Sequence, residues 1–215
     1  MRTASPPLPT SEPPPAVVRH LPIPDGDAAL VDALLAGHPG AAETFFARYA
    51  GHVRRVLVRV MNVDAETQDL VHDVFLDALE TLDRLKDPKA LKGWVTSIAV
   101  FKARHMIRQR RRRRWLRLAP PEEIDQHASS EASPELSDGV RCAYDILNAL
   151  PVDERIAFAL HIIDGMELLE IAVVCGVSVA TVKRRLQHAK ERFVRRAQKY
   201  PILVERLRAG SRWST

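Results

Sequence analysis

MELLEIAVVCGVSVATVKRRLQHAKERF, Met166 to Phe193, holds two helical patterns separated by one tight break. Leu169, Ile171, Ala172 and Val174 make a short apolar helix. The break is Cys175-Gly176-Val177, where glycine can take the left-handed backbone that a turn between helices needs. Ser178 is a good N-cap, because its hydroxyl can accept an orphan amide of the following turn. Beyond it Val179, Val182, Leu186, Ala189 and Phe193 recur at three- and four-residue spacing and predict an inward stripe. The other face carries Thr181, Lys183, Arg184, Gln187, His188 and Lys190. This arrangement predicts a helix-turn-helix, in which the second helix can place its first residues in the major groove of DNA. Ser178, Ala180 and Thr181 are small enough for close approach. Lys183 and Arg184 can reach phosphates or guanine edges, and Gln187 can pair with adenine. An ordinary helical hairpin with a solvated basic face fits the same residues, so the motif alone does not decide function.

Working outward, VRCAYDILNALPVDERIAFALHIIDG precedes the motif and reads as one or two helices, with Pro151 breaking or restarting the pattern. Together these predict a helical domain over 139–200, followed by a tail over 201–215. Upstream, APPEEIDQHASSEASPELSD is rich in Pro, Ser and acids, and 116–138 reads as a flexible acidic linker. A second helical domain is expected over 25–115. Its Phe45, Phe46, Tyr49, Val53, Val56, Leu57 and Val60 share one stripe, with Pro39 suited to a first helical turn. Val71, Val74, Phe75, Ala78, Leu79 and Leu82 form another, with Asp64 as candidate cap. The opposite face of that third helix shows Asp69, His72, Asp73, Leu76 and Glu80. A further helix runs from about Lys92 through Trp94, Val95, Ile98, Ala99, Met106 and Ile107 into RQRRRRRW, Arg108 to Trp115. Residues 1–24 are a proline-rich tail, expected to be disordered or extended.

The composition fits an all-α reading with two domains. Of 215 residues 46% are hydrophobic and 27% charged, while only 6% are aromatic and glycine is sparse. Net charge is +5 and the isoelectric point about 9.5, which favours an anionic partner. Cys142 and Cys175 form no CxxC pair, which fits a reducing compartment. No apolar run approaches the ~18 residues of a membrane span, and the first residues lack a signal core. Catalysis is poorly supported: there is no glycine-rich phosphate loop and no metal spacing, and acid pairs such as Glu122-Glu123 lie in the linker. No catalytic residue, metal site or cofactor is therefore expected.

Two strings carry a family resemblance. DLVHDVFLDALETLDRLKDPKALKGWVTSIAVFKARHMIRQRRRRR resembles region 2 of sigma-70-family transcription factors, and LPVDERIAFALHIIDGMELLEIAVVCGVSVATVKRRLQHAKERF resembles their region 4. With no globular region between them, the likeness is to the small extracytoplasmic-function group and covers roughly 25–200. The resemblance implies a cytoplasmic bacterial protein that binds core RNA polymerase and promoter DNA, with an anti-sigma protein as a partner that many members have and no residue here shows. It implies that region 2 reads and melts the minus-ten element. The candidate residues there are Lys89, Lys92, Trp94, Phe101, Lys102, Arg104, His105, Arg108, Arg110, Arg111, Arg112, Arg113 and Arg114. It implies that region 4 reads the minus-thirty-five element through Ser178, Ala180, Thr181, Lys183, Arg184, Gln187 and His188, and that Asp69, His72, Asp73, Leu76 and Glu80 dock on the polymerase. The arginine run would track phosphates without reading sequence. The linker acids Glu122, Glu123, Asp125, Glu131 and Glu135 suit a strand mimic in a basic channel or a plain solvated linker.

The sequence also departs from the family. Many members carry asparagine where Phe101 stands and aspartate or asparagine where His105 stands, which leaves the minus-ten preference open. Phe101 and Trp94 are expected mainly as core, with base stacking as the other reading. A stand-alone helix-turn-helix regulator is the alternative to a polymerase subunit, but no dimer seam is apparent.

Overall fold

The computed structural model describes residues 26–61, 66–116 and 134–209. Among them every element is helical and there is no strand. The order is α1 (Asp27–Leu35), α2 (Ala41–Met61), α3 (Glu66–Glu80), two 3-10 turns (Leu82–Arg84 and Pro88–Ala90), α4 (Leu91–Leu116), α5 (Pro134–Asn148), α6 (Val152–Phe158), a π turn (Ala159–Ile163), α7 (Leu168–Cys175), α8 (Val179–Ala197) and α9 (Pro201–Ala209).

Local chemistry sets the breaks. Asp87 accepts the Lys89 amide at 3.0 Å, and Pro88 opens the turn that leads into α4. Pro151, in extended backbone, separates α5 from α6. Gly176 sits at φ 64 between α7 and α8, the left-handed region that Cβ-bearing residues avoid. Ser178 Oγ then accepts the Thr181 amide at 3.2 Å, closing the first turn of α8. Pro39 lies just before α2, which begins at Ala41. Asp64, the N-terminal tail through Asp25 and the acidic segment 117–133 with Glu122, Glu123, Asp125 and Glu131 lie outside the described residues, as does the side chain of Glu135.

Two apolar clusters hold the helices. The larger runs through Leu30, Phe45, Leu57, Val74, Leu91 and Ala103 of α1 to α4, and continues into Ile156, Leu160, Ile171, Val182 and Leu186. The smaller joins Ile146, Leu147 and Leu150 to Phe158, Phe193, Ala197 and Leu203. Helix α4 packs against α6 and α7 as well as α2 and α3. The two helical halves therefore share a core, which differs from the free relative orientation expected across the linker. The reason is that α6 and α7 are apolar on more than one side and bury against both α4 and α8.

Other departures concern ends and edges. Helix α5 begins at Pro134, inside the expected linker, and α9 occupies much of the expected tail, with Leu203 buried. Leu79 is 39% exposed because Val71, Val74, Phe75, Ala78 and Leu82 already fill the inward stripe. Phe101 is 62% exposed and is not core. It lies two residues, about 200° of helical turn, from the buried pair Ala99 and Ala103, and so points away from them.

Candidate nucleic-acid interface

The recognition face of α8 is built as its spacing predicts. Val182, Leu186, Ala189 and Phe193 are buried, which turns Ser178, Ala180, Lys183, Arg184, Gln187 and His188 outward, with Thr181 half-buried. Gln187 donates its amide to Glu191 at 3.1 Å, so the side chain that could meet adenine is already extended along the surface.

Helix α4 carries the other cationic face. Lys89, Lys92 and His105 are exposed, and Trp94 packs half-buried against the core. Lys102 pairs with Asp77 at 2.7 Å. Arg104 meets Asp153 at 3.0 Å, and Arg108 meets the same carboxylate at 3.5 Å. Arg111 donates to the Leu150 carbonyl and, at 3.5 Å, to that of Asn148. Its charge thus neutralises the negative end of α5. Arg110 is half-buried, Arg112 and Arg113 are exposed, and the side chain of Arg114 lies outside the described residues. The arginine run is therefore divided between contacts to the protein and cations open to an outside partner.

The two cationic faces meet. A cleft of about 520 Å³ has Arg108 and Arg111 on one wall, Arg184, Arg185 and His188 on another, and Asp153 and Glu154 between them. Below it, Arg155 is 4% exposed and donates from Nε to the Val60 carbonyl at 2.5 Å and from Nη1 to Asn148 Oδ1 at 2.6 Å. The sequence reading passed over Asp153, Glu154, Arg155 and Arg185. Charged residues beside Pro151 look like an ordinary helix start, and nothing in their spacing says which helices will face them. His52 was also missed. Its Nε2 lies 2.8 Å from Thr96 Oγ1, and its pKa is lowered to about 4 by burial and by Lys92, Arg55 and Arg59.

The acidic face of α3 is open as expected. Asp69, His72, Asp73 and Glu80 are exposed and Leu76 is 58% exposed. His72 stacks on Phe46 with ring centroids 5.7 Å apart, which orients the ring at the rim of that face. Among the described residues no group of His, Cys, Asp and Glu could hold a metal ion, and no helix is long and apolar enough to cross a membrane.

Residues 45–113 match the family Sigma-70 region 2, and residues 141–193 match Sigma-70, region 4. The chain belongs to the sigma-70 family, in its extracytoplasmic-function group. Similar proteins include the ECF RNA polymerase sigma-E factor of Haemophilus influenzae, 26% identical over 77% of this chain and 92% of that protein. The RNA polymerase sigma-H factor of Pseudomonas aeruginosa is 26% identical over 83% and 96%. RNA polymerase sigma factor CarQ of Myxococcus xanthus is 28% identical over 73% and 88%. The fold resembles that of CnrH, solved in complex with the cytosolic domain of CnrY, with a TM-score of 0.59 and 24% identity over 82% of this chain and 99% of that one. It also resembles the sigma factor RpoE of Bartonella quintana, solved in complex with the anti-sigma factor NepR, at a TM-score of 0.57 and 22% identity over 74% and 98%. In this sigma-70 chain α2 to α4 form region 2, and α5 to α8 form region 4.

Proposed function

We infer that the protein is a sigma factor, which binds core RNA polymerase and directs it to promoters to begin transcription. The observation that carries this is the order of the two regions in one chain, region 2 before region 4, with the recognition face of α8 turned outward. Helix α8 reads the upstream promoter element: Lys183, Arg184 and Gln187 supply base-edge and phosphate contacts, and Ser178, Ala180 and Thr181 allow the approach. Helix α4 serves the downstream element. Arg112 and Arg113 contact phosphates there, and Phe101 offers an aromatic face to an unpaired base.

The acidic face of α3, with Leu76 exposed among Asp69, Asp73 and Glu80, docks on a polymerase surface of basic and apolar character. The protein acts by binding, not by catalysis, and works in the bacterial cytoplasm. An anti-sigma protein would be its natural antagonist. The test is run-off transcription. Core polymerase plus this chain should yield discrete transcripts from promoters that core alone ignores. Specific binding of the chain alone to a palindromic duplex, without stimulation of core, would instead mark a stand-alone regulator.

A further inference from the structure

The cleft between α4, α6 and α8 carries more positive charge than its own acids neutralise. Four arginines, Arg108, Arg111, Arg184 and Arg185, line it against two carboxylates, Asp153 and Glu154, an excess of two before His188 is counted. Both carboxylates are already engaged. Asp153 Oδ1 is 3.0 Å from Arg104 Nε, and its Oδ2 is 3.5 Å from Arg108 Nη2 and 3.6 Å from Arg185 Nη2. Glu154 Oε2 meets Arg192 Nε at 3.5 Å, and its Oε1 lies 3.9 Å from His188 Nδ1.

Two guanidiniums of the lining are left without an acid. Arg111 donates only to carbonyls, those of Leu150 and Asn148, and both bonds use Nη2. Its Nε and Nη1 donors remain for another acceptor. The carbonyls also fix the side chain before any ligand arrives, which lowers the cost of ordering it. Arg184 is exposed and pairs with no carboxylate among the described residues. Arg111 belongs to α4 and Arg184 to α8, so the uncompensated charge lies on two different walls.

The size of the cleft selects the ligand. It holds about 520 Å³. Small-molecule sites span ~300–1,000 Å³, whereas a B-form duplex, with a major groove ~12 Å wide, is far too large to enter. Guanidinium forks match phosphate oxygens in geometry as well as charge. A single phosphate ester carries about −1.5 to −2 at neutral pH, so a diphosphate cancels the excess. Pro151 and Val152 add an apolar edge on which the carbon part of an ester can lie.

We propose that this cleft is a binding site for a small diphosphate, with one phosphate on Arg111 and the other on Arg184, and with Arg108 and His188 at its border. The site needs only the packing of α4, α6 and α8 and does not depend on the sigma-factor reading.

The experiment is calorimetric titration of the full chain, without DNA or polymerase, at constant ionic strength. The probes are sodium pyrophosphate, ADP and AMP. Arg111→Gln and Arg184→Gln each remove one cation of the lining. Arg54→Gln removes an exposed arginine of α2, outside the cleft, and is the control. Circular dichroism checks each fold; Arg184 is exposed, so its variant carries the test if Arg111→Gln disturbs the end of α5.

Pyrophosphate should bind with one-to-one stoichiometry. Each cleft variant should weaken it about tenfold, the scale of a lost charge-assisted hydrogen bond, while Arg54→Gln stays within about twofold. AMP, with one phosphate, should bind about tenfold more weakly than ADP. ADP binding more tightly than pyrophosphate assigns the site to a nucleoside diphosphate, and the reverse order assigns it to free pyrophosphate. Absence of pyrophosphate binding overturns the proposal. So does a loss for Arg54→Gln equal to that of the cleft variants, which would mark diffuse attraction to a basic surface.

Discussion

His52 and Thr96 show how one side chain can set an acid limit. The Thr96 hydroxyl donates to the Lys92 carbonyl at 2.6 Å, so its oxygen is left to accept from His52 Nε2. With its pKa held near 4, His52 stays neutral in the folded chain where an unfolded chain, at about 6.5, would take a proton. Stability is therefore unaffected above about pH 6.5 and is lost as pH falls from there toward 4. Discounted for the solvent around a half-buried ring, the loss by pH 5 is on the order of 1 kcal/mol, or about 3 °C in Tm. His52→Gln should flatten that part of the Tm profile, and a profile as steep as that of the parent chain would contradict the assignment. Phe101 makes a different prediction. Because its ring is exposed, Phe101→Ala should leave Tm within about 1 °C. If the ring stacks on an open base, holoenzyme binding to a forked promoter template should weaken by about 1–3 kcal/mol, while binding to closed duplex holds.

At the scale of helices, the two cationic elements should give opposite signatures. Arg112 and Arg113 on α4 are exposed, and replacing both with Gln should weaken holoenzyme binding to all promoters alike. It should also flatten the salt dependence by roughly 0.9 of a slope unit per lost phosphate. Replacing Gln187 on α8 should instead change which upstream base is preferred, at about 1–3 kcal/mol. Binding over a salt series on matched and mutated elements separates the two. On α3, Asp69→Lys with Asp73→Lys should reduce pull-down of core polymerase while circular dichroism stays normal, since neither carboxylate is buried. The helices themselves were readable because their apolar residues recur at helical spacing, and the Gly176–Ser178 turn because its chemistry is specific. The two elements that were misplaced both begin on a proline, Pro134 for α5 and Pro201 for α9. The Pro, Ser and acid content around Pro134 reads as linker, yet a proline ring suits the first helical position, where no amide partner is needed.

For the whole molecule, the shared core makes the halves thermodynamic neighbours. Leu160 is fully buried in the cluster that runs from α1 to α8. Leu160→Ala should cost about 2–5 kcal/mol. Hydrogen exchange should quicken in α2 and α4 as well as in α7 and α8. Loss of protection confined to α7 and α8 would mean that the halves unfold separately. This packing was not legible in the sequence. Periodicity identifies which face of a helix is buried but not which partner covers it, and the acidic segment between the halves suggested independence. The inter-half polar contacts were hidden for the same reason: Arg155 reaches a carbonyl 95 residues earlier in the chain.

That long reach has a consequence during synthesis. Helices α1 to α4 leave the ribosome first, and the residues that complete their core, Ile171 to Leu186, follow well after Leu116. At ~5–20 residues per second the wait lasts several seconds. Through that interval the nascent N-terminal half carries an uncovered apolar seam beside its arginine run, a form prone to aggregate until the second half arrives to cover it.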